Sequence, residues 1–181
     1  SDVRLDIGKD INWGIDSHPI KMQIDRVDQH QQTGEIRVMD YKTSGKASDP
    51  LKAHIDNFNP DENRPLCGDL LPPTPRGRTD RRWKNLQLPI YAWFAQQHYK
   101  SADIPSVGYI NMPNTLSDTS FTVWDDFDAD LLDSAKEWTS TAIHNIQQSN
   151  FFHPATLPNK EENWDEFSKL AQGNIAEAFG I

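Results

Sequence analysis

Residues 20–46 constrain the fold more than any other part of the chain. Two stretches in which apolar and polar residues alternate flank a short polar segment, Gln29 to Gly34. Alternation with a period of two is typical of half-buried strands, and a short polar connection between two such strands favours a hairpin. In the second strand, Asp40 and Lys42 have the same parity and therefore share one face. The stretch predicts a β-hairpin whose second strand ends in a charged pair.

The hairpin also brings a second carboxylate to this end. Asp25 lies in the first strand, fifteen residues before Asp40, so the hairpin places it beside Asp40 within a residue or two of register. Two carboxylates and the Lys42 ammonium then converge. Paired carboxylates hold a hard divalent cation such as Mg²⁺, which prefers oxygen ligands. A lysine beside that ion can orient a water molecule or offset charge on a phosphate.

Three motifs, taken in order, resemble those of the PD-(D/E)xK nuclease superfamily. Ile24-Asp25 followed by Asp40-Tyr41-Lys42 is similar to the bipartite motif of that superfamily. The longer sequence of this hairpin, Ile24 to Asp28 and Met39 to Thr43, resembles the RecB/AddB-type branch of the superfamily. Gln87 to Tyr91 is similar to the QxxxY element of the same branch. The resemblance covers Ile20 to Tyr91 and extends loosely to about Phe152. It implies an α/β fold with a restriction-endonuclease-like core, in which helices flank a mixed central β-sheet.

The resemblance implies an enzyme, a deoxyribonuclease that depends on Mg²⁺ or Mn²⁺ and hydrolyses phosphodiester bonds. The resemblance favours an exonuclease that acts in DNA repair or recombination. Asp25, Asp40 and the backbone carbonyl of Tyr41 would be the metal ligands. The metal would lower the pKa of the attacking water and stabilise the phosphate in the transition state.

Further residues take roles through the same resemblance. Lys42 would position the attacking water or help to deprotonate it. Gln87 and Tyr91, four residues apart on one helix face, would fix Lys42, the water or the DNA strand. Arg26 would steady the carboxylates or contact the DNA backbone, whereas Asp28 differs in parity from Asp25 and should face away.

The chain departs from the resemblance in two ways. Its one cysteine, Cys67, excludes the cysteine-ligated iron–sulfur cluster that many RecB-type domains carry. Those nucleases also bring a histidine or glutamate from a helix upstream of the first aspartate, but the residues before Asp25 have the pattern of strands. We therefore expect one domain over residues 1–181 that is the C-terminal part or a fragment of a larger protein. The rest of that polypeptide, a helicase or a recombination protein would be a partner.

The missing upstream residue keeps a second interpretation open. Nuclease-like domains can lose catalysis and remain as DNA-binding or scaffolding modules of a helicase–nuclease complex. The intact set of Asp25, Asp40 and Lys42 favours the enzyme, and the incomplete ligand set favours the module.

The charge of the chain limits how it can bind DNA. A formal net charge of −9 excludes a generally basic nucleic-acid binder, so phosphate contacts must come from a bound cation or a local patch. A basic cluster directly precedes the predicted Gln87 helix and consists of Arg76, Arg78, Arg81, Arg82 and Lys84. It is either a solvated surface or a contact to the phosphate backbone of DNA.

The remaining patterns predict the other elements. Apolar residues at odd positions from Val3 to Ile15 predict strands that join the hairpin in an antiparallel meander. Residues 44–82 form an irregular insertion that opens with a short helix at Asp49-Pro50. We expect further elements in this order: a helix over 83–99 that starts near Leu86, strands over 106–112 and 120–124, a helix from the acids at 125–130 to about Ser149, and a short helix over 164–171.

No run of 18 apolar residues and no charged-then-apolar leader occurs, so we expect a soluble cytoplasmic protein without a membrane segment.

Overall fold

The structure, a computed structural model, describes residues 2–5, 11–15, 18–57 and 81–148. It is a mixed α/β fold in which helices flank a mixed β-sheet. The elements, in chain order, are β1 (Asp2–Leu5), β2 (Ile11–Ile15), β3 (His18–Met22), β4 (Arg26–His30), β5 (Ile36–Lys42), α1 (Pro50–His54), β6 (Ile55–Asn57), β7 (Arg81–Trp83), α2 (Gln87–His98), β8 (Ser106–Asn111), β9 (Ser120–Val123) and α3 (Ala129–Gln147).

The main sheet has five strands in the order β1-β4-β5-β8-β9. The β5–β8 pair is parallel and the other three pairs are antiparallel. β5 is therefore the central strand, and its carboxyl end lies beside the carboxyl end of β8. Ligand sites of open α/β sheets commonly lie at the carboxyl ends of parallel strands.

The predicted hairpin is confirmed as β4 and β5. The register pairs Arg26 with Met39, so the next position along pairs Asp25, just before β4, with Asp40. The turn closes through the His30 N–H, which donates to the Glu35 carbonyl at 2.8 Å. Gly34 has a φ of 77°, a left-handed conformation that glycine adopts without steric cost.

The predicted meander of the first strands is wrong. β1 pairs with β4 at the edge of the main sheet, while β2 and β3 pair only with each other and form a separate two-stranded sheet. The reason is aromatic packing. Trp13 of β2 makes edge contacts with Trp93 and Phe94 of α2, at ring-centroid distances of 4.8 and 5.8 Å. This hairpin therefore covers α2 rather than extending the main sheet.

The start of the predicted insertion contains regular structure. α1 begins as expected with Asp49 as its N-cap, whose side chain accepts from the Lys52 N–H, and with Pro50 in its first turn. β6 follows directly and pairs with β7 in a second two-stranded sheet. Residues 58–80, which include Arg76 and Arg78, lie outside the described part of the chain.

Both longer helices agree with the sequence prediction in most respects. α2 begins at Gln87, which leaves Pro89 in the first turn, where its missing N–H breaks no helical hydrogen bond. Trp83, at the start of the predicted helical range, belongs to β7 instead. α3 is capped by Asp128, whose side chain accepts from the Leu131 N–H at 3.0 Å. The helix buries Leu131, Leu132, Ala135, Trp138 and Ile143, whereas Ile146 near its end is 55% exposed.

A single apolar cluster holds these layers together. Val38 and Val107, which pair across β5 and β8, are fully buried together with Leu88 and Ala92 of α2. α2 therefore packs on the face of the sheet that also carries Asp40 and Lys42. No helix among the described residues is long and apolar enough to cross a membrane. The predicted helix over 164–171 lies outside the described part of the chain.

Candidate active site

The carboxyl groups of Asp25 and Asp40 meet at the end of the β4–β5 hairpin. The backbone N–H of Tyr41 donates to Asp25 Oδ2 at 3.0 Å, which fixes the Asp25 side chain against β5. The hairpin register places Asp40 opposite Asp25, and the negative charge of Asp25 acts on Asp40. Asp40 is buried, and Asp25 is half-buried. The hairpin register thus produces the expected carboxylate pair.

Lys42 lies on the same face of β5 as Asp40. Its Nζ is 2.7 Å from Asp40 Oδ2 and 4.8 Å from the centroid of the Tyr109 ring. An ion pair and a contact with an aromatic face therefore both hold the Lys42 side chain in place. Asp40 and Lys42, which have the same parity in the strand, therefore form a direct ion pair, and Tyr109 forms a wall of the site.

Gln87 connects the acids, the lysine and the tyrosine. Its Nε2 donates to Asp40 Oδ1 at 3.1 Å and to the Tyr91 hydroxyl at 3.1 Å, and its Oε1 accepts from Lys42 Nζ at 3.5 Å. Gln87 and Tyr91 lie one turn apart in α2, which presents both to the end of β5. The structure therefore brings together the five residues Asp25, Asp40, Lys42, Gln87 and Tyr91.

Burial and charge disfavour the ionised form of Asp40. Burial raises its pKa above the usual value for an aspartate, and the neighbouring Asp25 raises it further, while Lys42 opposes the shift. Burial likewise raises the pKa of Tyr91, with the hydrogen bond from Gln87 acting in the opposite direction. A cation placed between the carboxylates would relieve the repulsion that Asp40 experiences.

The donor set fits a hard cation. Two carboxylates face each other, and the Tyr41 carbonyl points to the same side. Lys42 O accepts from the Met112 N–H on the β8 side, whereas the Tyr41 N–H bonds Asp25 on the β4 side. Since the N–H and C=O of one strand residue point the same way, the Tyr41 carbonyl lies on the Asp25 side.

Among the described residues, the two acids form no larger cluster of metal-ligating side chains. In the ranges that the structure describes, no group of three or more His, Cys, Asp or Glu side chains could hold a metal ion. Mg²⁺ commonly binds through one or two carboxylates, retains several waters and takes further ligands from substrate phosphates. The pair with the Tyr41 carbonyl matches that kind of site rather than an all-protein cage.

Arg26 lies away from the carboxylate pair. Its Nε donates to both oxygens of Asp28, at 2.9 and 2.8 Å, and Asp28 is 2% exposed. The hydrogen bond to Asp28 raises the pKa of Arg26. Neighbouring strand residues alternate between faces, so this ion pair lies on the sheet face opposite Asp25 and Asp40. Asp28 faces away from Asp25, as its parity predicts.

The predicted basic cluster is only partly in the described chain. Arg81 and Arg82 lie in β7, and Lys84 follows directly. Arg81 and Lys84 line a pocket beside α1 together with Lys52, which the sequence did not single out. Arg76 and Arg78 belong to residues 58–80, so their predicted role stays a prediction.

His54 is the residue of this region that the sequence did not reveal. It is fully buried at the end of α1. Its Nδ1 lies 2.9 Å from the Pro50 carbonyl and 3.3 Å from the Tyr109 hydroxyl, and its Nε2 accepts from the Leu88 N–H at 3.3 Å. The imidazole therefore ties α1 to the first turn of α2 and to β8.

The backbone and the environment of His54 add to this role. Its carbonyl accepts from the Lys84 N–H at 2.9 Å, so the chain that leads into Gln87 is held at the same point. Burial lowers the pKa of His54 to about 4, and the positive charges of Lys42 and Lys84 act in the same direction. The ring is neutral at pH 7. No spacing in the sequence links it to Tyr109, because that contact spans 55 residues.

Asn111 is a second buried polar residue beside the site. It pairs with Lys42 in the β5–β8 register. Its Oδ1 accepts from the Ser48 N–H at 2.8 Å, and its Nδ2 donates to the Ser48 carbonyl and to Thr122 Oγ1. Asn111 therefore holds the segment that leaves β5 against β8 and β9. The sequence carries no signal for it beyond its place in a predicted strand.

Comparisons with protein-family models, with curated proteins and with solved structures find no match to this chain. The function of this chain must therefore be argued from the arrangement of Asp25, Asp40, Lys42, Gln87 and Tyr91.

Proposed function

We propose that this chain is a metal-dependent nuclease with a restriction-endonuclease-like core that hydrolyses phosphodiester bonds in DNA. The observation that carries the proposal is the convergence of Asp25, Asp40 and Lys42. The two carboxyl groups meet at the end of the β4–β5 hairpin, where the Tyr41 N–H holds Asp25 and an ammonium lies 2.7 Å from Asp40. An oxygen-rich cation site beside a fixed positive charge is what hydrolysis of a phosphodiester requires.

Each residue of the site has a distinct part in this chemistry. Asp25, Asp40 and the Tyr41 carbonyl would hold Mg²⁺ or Mn²⁺, which polarises a phosphoryl oxygen and acidifies the attacking water when bound. The Lys42 ammonium has no lone pair with which to accept a proton. Its ion pair with Asp40 holds it beside the carboxylate pair, where it would orient the attacking water or offset charge on the phosphate.

Gln87 and Tyr91 position the other groups. The Gln87 amide bonds Asp40 and the Tyr91 hydroxyl on one side and Lys42 on the other, so its two ends fix the acid and the lysine relative to each other. Groups that orient a metal ligand typically change affinity or activity 10- to 100-fold when they are removed. We therefore assign Gln87 as a positioning residue and Tyr91 as its support.

The test of this proposal is a cleavage assay on single- and double-stranded DNA with Mg²⁺ or Mn²⁺. Wild-type protein should cleave DNA, and Lys42→Ala should lose most of that activity while its fold, followed by circular dichroism, stays intact. Lys136→Ala, which removes an equal charge on α3, is the matched control and should cleave like the wild type. Equal cleavage by Lys42→Ala and the wild type would contradict the assignment.

A second candidate function is a DNA-binding or scaffolding module without catalysis. The observation in its favour is that both oxygens of Asp40 already have protein partners, Lys42 and Gln87. In addition, the described residues supply no third side-chain ligand. DNA binding without cleavage, found both for this chain and for any longer parent protein, would favour the module over the enzyme.

A further inference from the structure

A pocket of about 400 Å³ lies between the end of α1 and the β6–β7 pair. Its lining combines apolar side chains with three cations and one acid: Leu51, Lys52, Ile55, Asp56, Arg81 and Lys84. The volume is within the range of small-molecule sites in proteins, which starts at about 300 Å³. The pocket is therefore large enough for one mononucleotide unit.

The pocket adjoins the candidate active site. The Lys84 N–H donates to the His54 carbonyl, and the His54 ring accepts from the Leu88 N–H, next to Gln87. The charges of Lys42 and Lys84 both act on the His54 ring. Lys84 in the pocket and Lys42 in the site thus lie within electrostatic range of one buried group.

The chemistry of the lining matches a nucleoside phosphate. Lys52, Arg81 and Lys84 against Asp56 give a formal local charge of +2 (three positive, one negative) in a chain of net charge −9. The Lys52 side chain is 84% exposed, and its ion pair with Asp49 has an N–O distance of 3.9 Å. An exposed lysine so weakly paired can turn toward a phosphate at little cost.

The apolar part of the lining distinguishes this pocket from a plain basic surface. Leu51 and Ile55, which both pack against the edge of the core, offer a surface for a base or sugar. Asp56 is an acceptor for an amino group of a base. Apolar contact combined with a few charged groups is the usual composition of a small-ligand site.

We propose that this pocket is a nucleotide subsite that holds one nucleotide of the DNA strand beside the bond to be cleaved. Its phosphate contacts Lys52, Arg81 and Lys84, and its base or sugar lies on Leu51 and Ile55. The inference rests on the proposed nuclease function for its substrate and extends the binding surface to α1. The same chemistry would also accept a free mononucleotide.

The test compares two double variants with the same loss of charge. Lys52→Gln/Lys84→Gln removes two cations from the pocket, and Lys100→Gln/Lys136→Gln removes two elsewhere. Affinity is measured with Mg²⁺ over a salt series for a phosphorothioate single strand that resists hydrolysis, and for a free deoxynucleoside monophosphate. Each phosphate contact to a single strand contributes about 0.7 to the slope of log K against log salt.

The pocket variant should bind the strand more weakly, with a slope reduced by up to about 1.4, while the control keeps the wild-type slope. Loss of monophosphate binding in the pocket variant would show that the subsite also takes free nucleotides. Weaker binding of the strand with unchanged binding of the monophosphate would show that the subsite takes only a nucleotide within DNA. Equal slopes in the two variants would overturn the subsite even if wild-type protein cleaves DNA. A pocket-dependent slope without wild-type cleavage would instead refute the nuclease and leave the subsite in place.

Discussion

At the scale of single residues, Gln87 shows how one amide can organise a charged site. Its Oε1 can only accept and its Nε2 can only donate, so it bonds an ammonium at one end and a carboxylate and a hydroxyl at the other. An acid at this position would add a third negative charge beside Asp40. An aliphatic residue would leave Asp40 Oδ1 without its donor.

Replacement of Gln87 should therefore reduce catalysis more than stability. We expect Gln87→Ala to lower the rate of DNA cleavage about 10- to 100-fold, because Asp40 and Lys42 lose their common partner. Gln97→Ala, on the exposed end of the same helix, is the matched control and should retain wild-type cleavage. Rates are compared at saturating DNA, with melting temperatures measured in parallel. A Gln87→Ala rate within twofold of wild type would mean that the amide does not position the site.

His54 should give the protein a characteristic dependence of stability on pH. Its pKa is about 4 in the folded chain and 6.5 without burial, so the unfolded chain takes up the proton first as the pH falls. Stability present above pH 6.5 is therefore lost between pH 6.5 and 4, and by pH 5 the loss from this group is about 2 kcal/mol.

The variant His54→Gln isolates this effect. Glutamine can still accept from the Leu88 N–H, but it does not titrate. Urea unfolding of both proteins at pH 7.5 and pH 5 should show a smaller loss of unfolding free energy for the variant. An identical pH dependence of the two proteins would show that His54 does not carry it.

At the scale of elements, the β2–β3 hairpin acts as a support for α2. Trp13 packs edge-on against Trp93 and Phe94. Aromatic pairs of this kind contribute about 0.5–1.5 kcal/mol beyond the area that they bury. Because α2 also carries Gln87 and Tyr91, this packing helps to set the position of the site.

Truncation at Trp13 should weaken both the fold and the site. We expect Trp13→Ala to cost about 2–3 kcal/mol of unfolding free energy, below the range for fully buried tryptophans because Trp13 is half-buried. DNA cleavage under folding conditions should fall with it. Trp13→Phe, which preserves an edge contact, should retain most of the unfolding free energy and most of the cleavage activity of the wild type. Unfolding curves that coincide for Trp13→Ala and wild type would show that the hairpin is not a support for α2.

At the scale of the whole molecule, local patterns predict the elements, and long-range packing decides their arrangement. Alternation in residues 20–46 is sufficient to predict the β4–β5 hairpin and the approach of Asp25 to Asp40. Alternation in residues 2–15 predicts strands but not their partners. β2 packs on α2 through the contact between Trp13 and Trp93, which are eighty residues apart in the chain, while β1 pairs with β4.

The candidate site divides in the same way. Asp40 and Lys42 share a strand face by parity, and Gln87 and Tyr91 share a helix face by their spacing of four. Both pairs can therefore be predicted from the sequence. The roles of His54 and Asn111 cannot be predicted from the sequence, since each residue bonds partners that are far away in the chain. The resemblance places Arg26 against the carboxylates or the DNA backbone, whereas the structure shows it paired with Asp28 on the other face of the sheet.

The most direct test compares the two buried acids of the main sheet. Asp28 and Asp40 are both buried, Asp28 pairs with Arg26 and Asp40 pairs with Lys42, and the two acids lie on opposite faces of the sheet. Cleavage of DNA with Mg²⁺ is measured for wild type, Asp40→Asn and Asp28→Asn. We expect Asp40→Asn to abolish Mg²⁺-dependent cleavage, and Asp28→Asn to lose stability but keep the wild-type rate at temperatures where it is folded. Cleavage that survives in Asp40→Asn, or that is lost equally in both variants, would contradict a metal-dependent nuclease centred on Asp25 and Asp40.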